Sequence, residues 1–492
     1  MDYTVTARMK YSFGVGHVLN DLCASMWFSY LLIFFHKILQ FSNSMAGNIL
    51  LVGQIADGIA TPFVGYESDK SYFACKYGKR KSWHLVGTVC VAMTFPLLFL
   101  HCIGCNESSP EYAQFIYYAP LVVIFQFGWA ATQINHLALI PDLTNNDEDR
   151  VSLNAIRYAF TVFSGIIVYG VAWGILGMQD SSSDMLSPAD APAFRNLVLS
   201  VVGIGILFSI IFHVGLKERK RQSTSVVINE STDDDDVSQD HMIPSKRKSL
   251  SENSPLLHGT KRQSSGIEYQ STAVVCTETP ALSWFDWFKK TIFYQMALLY
   301  MCTRLVVNLS QVYLTMYLTD SLFLNKTFIA IVPLVVYVSS FLAAVCVRPV
   351  ALFLKQEQIY LCGSLCVIGA CTWAHFLPEN SMQIFGLAVV LGIGTSTILV
   401  MSLSMTARLI GKETRTGAFV YGAMSLTDKL SNGAAVVIIQ NLNPCKCNCP
   451  LCAEYFRAIM SYVIGGITII AMMTIISIIT TKRACHTSSC RS

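Results

Sequence analysis

Charge is scarce in this chain. Asp, Glu, Lys and Arg make up 13% of its 492 residues, against 53% apolar, and the mean hydropathy is +0.48. A chain that apolar would precipitate as a water-soluble globule, which excludes that class. The net charge of +4 gives no basis for a nucleic-acid partner. Enzyme signatures are missing as well. Without a Walker loop, ATP-driven pumping is not indicated. Without a zincin helix or a nucleophile elbow, hydrolytic chemistry is not indicated either. No enzyme activity, catalytic residue or cofactor is therefore expected.

What the chain does have is apolar runs. About 20 apolar residues cross a bilayer as one helix. Twelve such segments are readable, at 11–36, 45–66, 83–104, 114–140, 156–178, 195–215, 291–318, 327–347, 358–377, 382–406, 416–440 and 456–480. The expected class is an all-α membrane protein.

Basic residues follow the even spans. Lys70, Lys76, Lys79, Arg80 and Lys81 follow the second, Arg150 and Arg157 the fourth, and Lys217, Arg219, Lys220 and Arg221 the sixth. Arg348 and Lys355, then Arg408, Lys412 and Arg415, then Lys482 and Arg483 continue the pattern. The loops on the other side are nearly free of Lys and Arg. The positive-inside rule puts both termini in the cytoplasm. No cleavable signal peptide is expected, because the run from Tyr11 is long enough to be a real span. The sequons at Asn106 and Asn325 fall in loops expected on the non-cytoplasmic side, where glycosylation occurs.

Residues 216–290 break the composition with basic runs, an acidic run at Asp233–Asp236 and many serines. Such a segment cannot bury enough surface to order itself and reads as a disordered cytoplasmic linker. The expected organisation is a six-helix bundle over 1–215, the linker, a second six-helix bundle over 291–481 and a cytoplasmic tail over 482–492. No strong internal sequence repeat is visible, so the duplication rests on span count. Inside the linker, Glu252 stands four residues before Leu256 and Leu257. That spacing resembles an acidic dileucine sorting signal read by clathrin-adaptor complexes, and two leucines in a polar segment have no core to join.

Polar residues inside spans are costly and need a reason. His17 and Asp21 are one helical turn apart in span one, and Asp57 and Thr61 in span two. Gln133 and His136 lie in span four, and Arg157 opens span five. Arg304, Asn308 and Gln311 form one stripe in span seven, and Asp428, Lys429 and Asn432 lie in span eleven. Neutral members can serve as glue between helices. For Asp21, Asp57 and Lys429 a solute or ion path is the stronger reading. A Lys–Asp pair can neutralise itself or bind a zwitterion.

Most of the 17 cysteines lie singly in spans and read as small apolar packers. Cys445, Cys447, Cys449 and Cys452 instead cluster in the last non-cytoplasmic loop, with Cys102 and Cys105 in another loop on that side. Disulfides are expected there, among the four or to Cys102 or Cys105. Zinc is an alternative, although the spacing is not a standard finger.

These residues resemble a family. GYESDK at 65–70 followed by GKRK at 78–81, with Gly65, Asp69, Lys70, Gly78, Lys79, Arg80 and Lys81, is similar to the loop signature of the major facilitator superfamily. The spacing is stretched by residues 71–77. Asp57, Pro62, Gly65 and Asp69, then the run to Trp83, resemble the glycoside–pentoside–hexuronide symporters, the melibiose permease group. ALIPDLT at 138–144, Arg150, NAIR at 154–157 and Lys429 extend the match over all twelve spans.

The resemblance implies the major facilitator fold, with twelve transmembrane helices in two six-helix bundles that rock about a midplane site. It also implies that Asp21 is a substrate-binding acid, that Asp57 is the first acid of a cation pair, and that Arg157 and Lys429 are basic residues of the central cavity. Thr61 replaces the second cation acid, and Gln133 replaces an acid of span four. Two of four acids are gone, which argues against sodium coupling and against sugar. The long linker, dileucine and Cys-rich last loop resemble the animal branch, which implies lysosomes and melanosomes and cysteine import.

On this reading Asp21 binds the substrate ammonium. Arg157, or Lys429 released from Asp428, binds the carboxylate. Asp69 with Lys79, Arg80 and Lys81 latches a cytoplasmic gate. Sodium is not expected to drive transport, whereas a proton needs only one titratable partner such as Asp57 or His17; the coupling ion itself is left open by the sequence. A proton-coupled sugar symporter and a non-transporting scaffold or sensor are the alternatives.

Overall fold

The computed structural model describes residues 6–70, 77–106, 109–144, 146–177, 185–217, 284–410, 414–444 and 450–489. Among these residues twelve long helices follow one another: α1 (Ala7–Ile38), α2 (Asn43–Lys70), α3 (Lys79–Phe99), α4 (Glu111–Leu143), α5 (Asp147–Gly177), α6 (Pro188–Gly215), α7 (Thr291–Ser321), α8 (Phe328–Val350), α9 (Gln356–Phe376), α10 (Ile384–Ile410), α11 (Thr414–Leu442) and α12 (Cys452–Thr481). Among the described residues there is no strand. In hydrocarbon each backbone polar group must be satisfied within its own segment, which a helix does. Eleven of the twelve helices are long and apolar enough to cross a membrane. The other, α11, carries Asp428 and Lys429, yet its 29 residues span about 43 Å, more than a bilayer core.

Each expected span lies on a helix, and the differences are at the ends. Helix α5 starts at Asp147, so Arg157 does not open the span or sit in a basic loop. It lies about three turns inside the helix. The linker expected to end at 290 already turns helical at Trp284–Lys289, where Trp287 is buried. The tail expected from 482 continues the last helix to Ser489. Glu252, Leu256 and Leu257 lie outside the described residues, as do Cys445, Cys447 and Cys449.

Helices α1–α6 and α7–α12 form two bundles. They meet through α2 against α11, α5 against α8, and α1 against α7. Moving six helices along the chain turns the first pairing into the second, as a pseudo-two-fold axis requires. Backbone detail shows the same duplication. A π-turn closes α1 at Phe34–Ile38 and another closes α7 at Tyr317–Ser321. Left-handed residues follow each, Gln40 at φ 56° and Phe323 at φ 51°. Both pairs are 283 residues apart. No such repeat is visible in the side chains.

Two local features position the site. Helix α1, which is buried over most of its surface, is broken by a 3-10 turn at Val15–His17. Such a turn in mid-helix weakens the regular ladder. At the start of α3, Gly78 takes φ 108°, a conformation that strains any L side chain.

Candidate functional site

The break in α1 sets His17 above Asp21. His17 Nδ1 lies 3.0 Å from Asp21 Oδ1. Asp21 Oδ2 accepts a hydrogen bond of 2.9 Å from the Thr161 hydroxyl of α5. Arg157, one turn earlier on α5, is electrostatically coupled to Asp21 without forming an ion pair with it. Its Nε is buried and has no hydrogen-bond partner. An acid and a guanidinium thus stand near each other without closing on each other.

A second polar group joins the bundles. Lys429 Nζ lies 2.7 Å from Asp57 Oδ1 and donates to Thr61 Oγ1 at 2.7 Å. The Thr61 hydroxyl donates in turn to Asp57 Oδ1 at 3.1 Å. Asp428 is taken by Arg304, whose Nε is 2.9 Å from its Oδ2, and by Asn432 Nδ2 at 2.6 Å. This corrects the pairing expected from adjacency. Lys429 serves Asp57 across the bundle interface rather than its neighbour Asp428, because successive residues of a helix point about 100° apart. Asp57 is also not an open cation acid in this conformation, since an ammonium occupies it.

Next to this group a cavity of about 20 Å³, room for roughly one water, lies between α1, α2, α7 and α11. Gln54, Asn308 and Asn432 supply its polar lining, and Trp27, Phe28 and Leu50 part of its apolar lining. That volume is far below that of a ligand pocket, so the bundles are packed closed here. Gln311 crosses the interface too, with its amide Nε2 donating to Ser29 Oγ at 3.2 Å and Tyr169 OH at 3.3 Å. Gln133 accepts from Trp129 Nε1 at 2.9 Å. His136 gives its Nε2–H to the Phe13 carbonyl at 2.7 Å.

The loop motif at the basic end of the helices bonds within the first bundle. Lys70 bonds the Tyr66 hydroxyl, and Arg80 Nη1 donates to Ser68 Oγ at 2.8 Å. Lys81 is buried. Its ammonium donates to the carbonyls of His213 at 3.0 Å and Leu216 at 2.6 Å, capping the C-terminal end of α6 where the helix dipole favours a cation. Gly65 has open space around it. The Asp69 side chain lies outside what is described.

The opposite end holds residues that the sequence reading missed. Lys37 of α1 pairs with Asp320 of α7 at 2.6 Å. Lys326, before α8, pairs with Asp190, in the first turn of α6, at 2.9 Å; the two are 5% and 1% exposed. His36 Nε2 and Gln440 Oε1 are 3.0 Å apart, and the Tyr30 hydroxyl donates to the Ile329 carbonyl. All four contacts cross from one bundle to the other and close that end. Lys37 and Asp320 are 283 residues apart, matching positions of the two halves, but that offset is set by the π-turns of the structure and no sequence repeat reveals it.

Asn106 and Asn325 are exposed at this end. Cys102 is bridged to Cys105, which removes both as partners for the last-loop cluster. Cys452 is buried and disulfide-bonded. Among the described residues no group of His, Cys, Asp and Glu is arranged to hold a metal ion.

Comparison with known proteins agrees with this architecture. Residues 12–234 match the family described as MFS/sugar transport protein. Major facilitator superfamily domain-containing protein 12 of Homo sapiens is 44% identical over 489 residues, covering 97% of this chain and 93% of the relative. An uncharacterized symporter of Synechocystis is 22% identical, covering 87% of this chain and 84% of its own. The crystal structure of a D-xylose-proton symporter superposes with a TM-score of 0.64 at 13% identity, covering 95% of this chain and 96% of that one. The identity and coverage of the first relative, on an all-helical twelve-span fold with no enzyme constellation, make this chain a multi-pass membrane transporter of the major facilitator superfamily, in the family of domain-containing protein 12.

Proposed function

We propose that this transporter moves a small amino acid, cysteine first, from the cytosol into the lumen of lysosomes and melanosomes, by alternating access coupled to protons. The observation that carries the reading is the open acid–base pair at Asp21 and Arg157. Asp21 accepts from Thr161 and faces His17. Arg157 keeps a buried Nε with no hydrogen bond. An α-amino acid supplies the ammonium for the first and the carboxylate for the second. Cysteine itself comes from resemblance to the animal branch of the family. The family description as sugar transport supports a proton-coupled sugar symporter as the second reading.

The orientation follows the charge pattern. The basic end faces the cytosol and both termini lie there; Asn106 and Asn325 face the lumen and carry the glycans. The inter-bundle ion pairs then seal the lumenal end and leave a state that loads from the cytosol. Asp69, Lys79, Arg80 and Lys81 act on the cytosolic gate when it closes.

Thr61 and Gln133 bring no anionic oxygens, and a sodium site needs several hard oxygen ligands, whereas a proton needs one titratable group. Uptake of labelled cysteine into isolated organelles should be saturable, should fall when the pH gradient is collapsed, and should be unchanged when choline replaces sodium at fixed pH. A rate that collapses in choline overturns proton coupling. The absence of saturable flux for both cysteine and sugars favours the scaffold reading.

Glu252, Leu256 and Leu257 set the organelle address through adaptor binding. Leu256→Ala with Leu257→Ala should move the protein to the cell surface, as seen by microscopy and surface biotinylation. Unchanged organelle localisation counts against the motif.

A further inference from the structure

Four of the ten histidines come together around the break in α1, from four helices: His17 on α1, His84 on α3, His136 on α4 and His213 on α6. Ring centroids are 4.9 Å apart for His84 and His213, 6.0 Å for His84 and His136, and 5.8 Å for His136 and His17. Acceptors fix the tautomers, because a carbonyl oxygen cannot donate. His84 Nε2–H points to the Gly16 carbonyl at 2.9 Å, which leaves His84 Nδ1 as an acceptor. His213 Nε2 lies 3.1 Å from that Nδ1 and must donate. His213 Nδ1 then accepts from the Tyr77 hydroxyl at 2.5 Å, and Tyr77 is exposed at the basic end. This is a directed chain from the surface to the break in α1. At the far end His17 Nδ1 lies 3.0 Å from Asp21.

A purely structural role is carbonyl satisfaction. The 3-10 turn leaves Gly16 and Phe13 carbonyls that His84 and His136 cover. That role needs neither His213 nor Tyr77. It also leaves His136 Nδ1 and both ring nitrogens of His17 buried without hydrogen-bond partners, a costly state for a polar group that is never satisfied. Nitrogens that take up and release a proton during the cycle have a use for that state.

We propose that His213, His84, His136 and His17 carry the coupling proton between the basic end and Asp21, which rests on the proton-coupled reading above. A proton from bulk water joins the Tyr77 oxygen as the Tyr77 proton moves to His213 Nδ1. The His213 Nε2–H bond breaks as an N–H bond forms at His84 Nδ1. Ring rotation brings together rings that stand too far apart in this pose for a direct hydrogen bond: the His84 Nε2–H bond breaks as an N–H bond forms at His136 Nδ1, and the His136 Nε2–H bond breaks as one forms at His17 Nε2. His17 Nδ1–H gives it to Asp21 Oδ1. Each step breaks one N–H or O–H bond and forms one, and no electrons are transferred. The charged groups facing the row are Asp21 on α1, Lys81 on α3 and Arg157 on α5. Thr88 Oγ1 stands 3.4 Å from His84 Nδ1.

The test uses the full chain in lipid nanodiscs and needs no solute. After a jump from neutral to acidic pH, time-resolved infrared should show a carboxylic C=O band that is absent in Asp21→Asn. Glutamine keeps an N–H donor for the Gly16 carbonyl but cannot relay. His84→Gln and the half-exposed His213→Gln should each slow the band by at least about tenfold. Tracking His213→Gln, at the rim, keeps the result readable if His84→Gln misfolds. Unchanged rates in folded variants, or no Asp21 band in the wild type, overturn the relay. Uptake that ignores a pH gradient while the infrared rates fall as expected overturns the coupling reading instead.

Discussion

Asp57→Asn should end net transport while the protein still inserts and reaches its membrane. Asp57 and Thr61 hold Lys429 across the α2–α11 contact, and rocking of the bundles must break and remake that contact in every cycle. With the carboxylate gone, the ammonium has no counter-charge when the bundles close. Removing one partner of a buried pair costs about 3–5 kcal/mol. These side chains are partly exposed, at 15% and 14%, so the lower end of that range applies. Asp57→Asn combined with Lys429→Gln should recover most of the thermal stability in detergent without recovering uptake. Normal saturable uptake by Asp57→Asn alone would show that the pair is bystander glue.

Lys326→Met should unlock the end closed by the inter-bundle ion pairs. Asp190 sits in a turn whose Ser187 N–H donates to its Oδ2 at 2.9 Å. Its other oxygen faces the Lys326 ammonium in a dry setting. Leaving that carboxylate uncompensated costs about 3–5 kcal/mol, or more than a hundredfold in the balance between closed and open states. A cysteine at Ser29, buried beneath the closed end, should then react with an impermeant thiol reagent added from the side of Asn106 and Asn325. The exchange Asp190→Lys with Lys326→Asp should restore protection. Equal protection of the Ser29 position in Lys326→Met and in its parent would mean that other contacts hold the gate.

Much of the site was legible, unevenly. Asp21 with His17, and Asp57 with Thr61, were readable because a helical turn brings residues four apart together. The Asp428–Lys429 adjacency misled, because neighbours in a helix diverge. His84 and His213 carry no signal in the sequence, since each is a lone histidine in an apolar helix and only the packing of α3 against α6 brings them to the α1 break. The sealing charges were hidden because Lys37, Asp190, Asp320 and Lys326 stand at helix ends and resemble ordinary loop residues.

The sequence by itself determined the number of crossings, their helical state, and the alternation of basic and neutral loops. Each follows from a local rule: an apolar run of about 20 residues in lipid has no lower-energy form than a helix. Only the tertiary structure decided which charge meets which. Lys429 and Asp57 are 372 positions apart in the chain, and Lys326 and Asp190 are 136 apart. At such separations partners are set by how helices cross and turn about their axes, a property of the packed bundles that no local window contains.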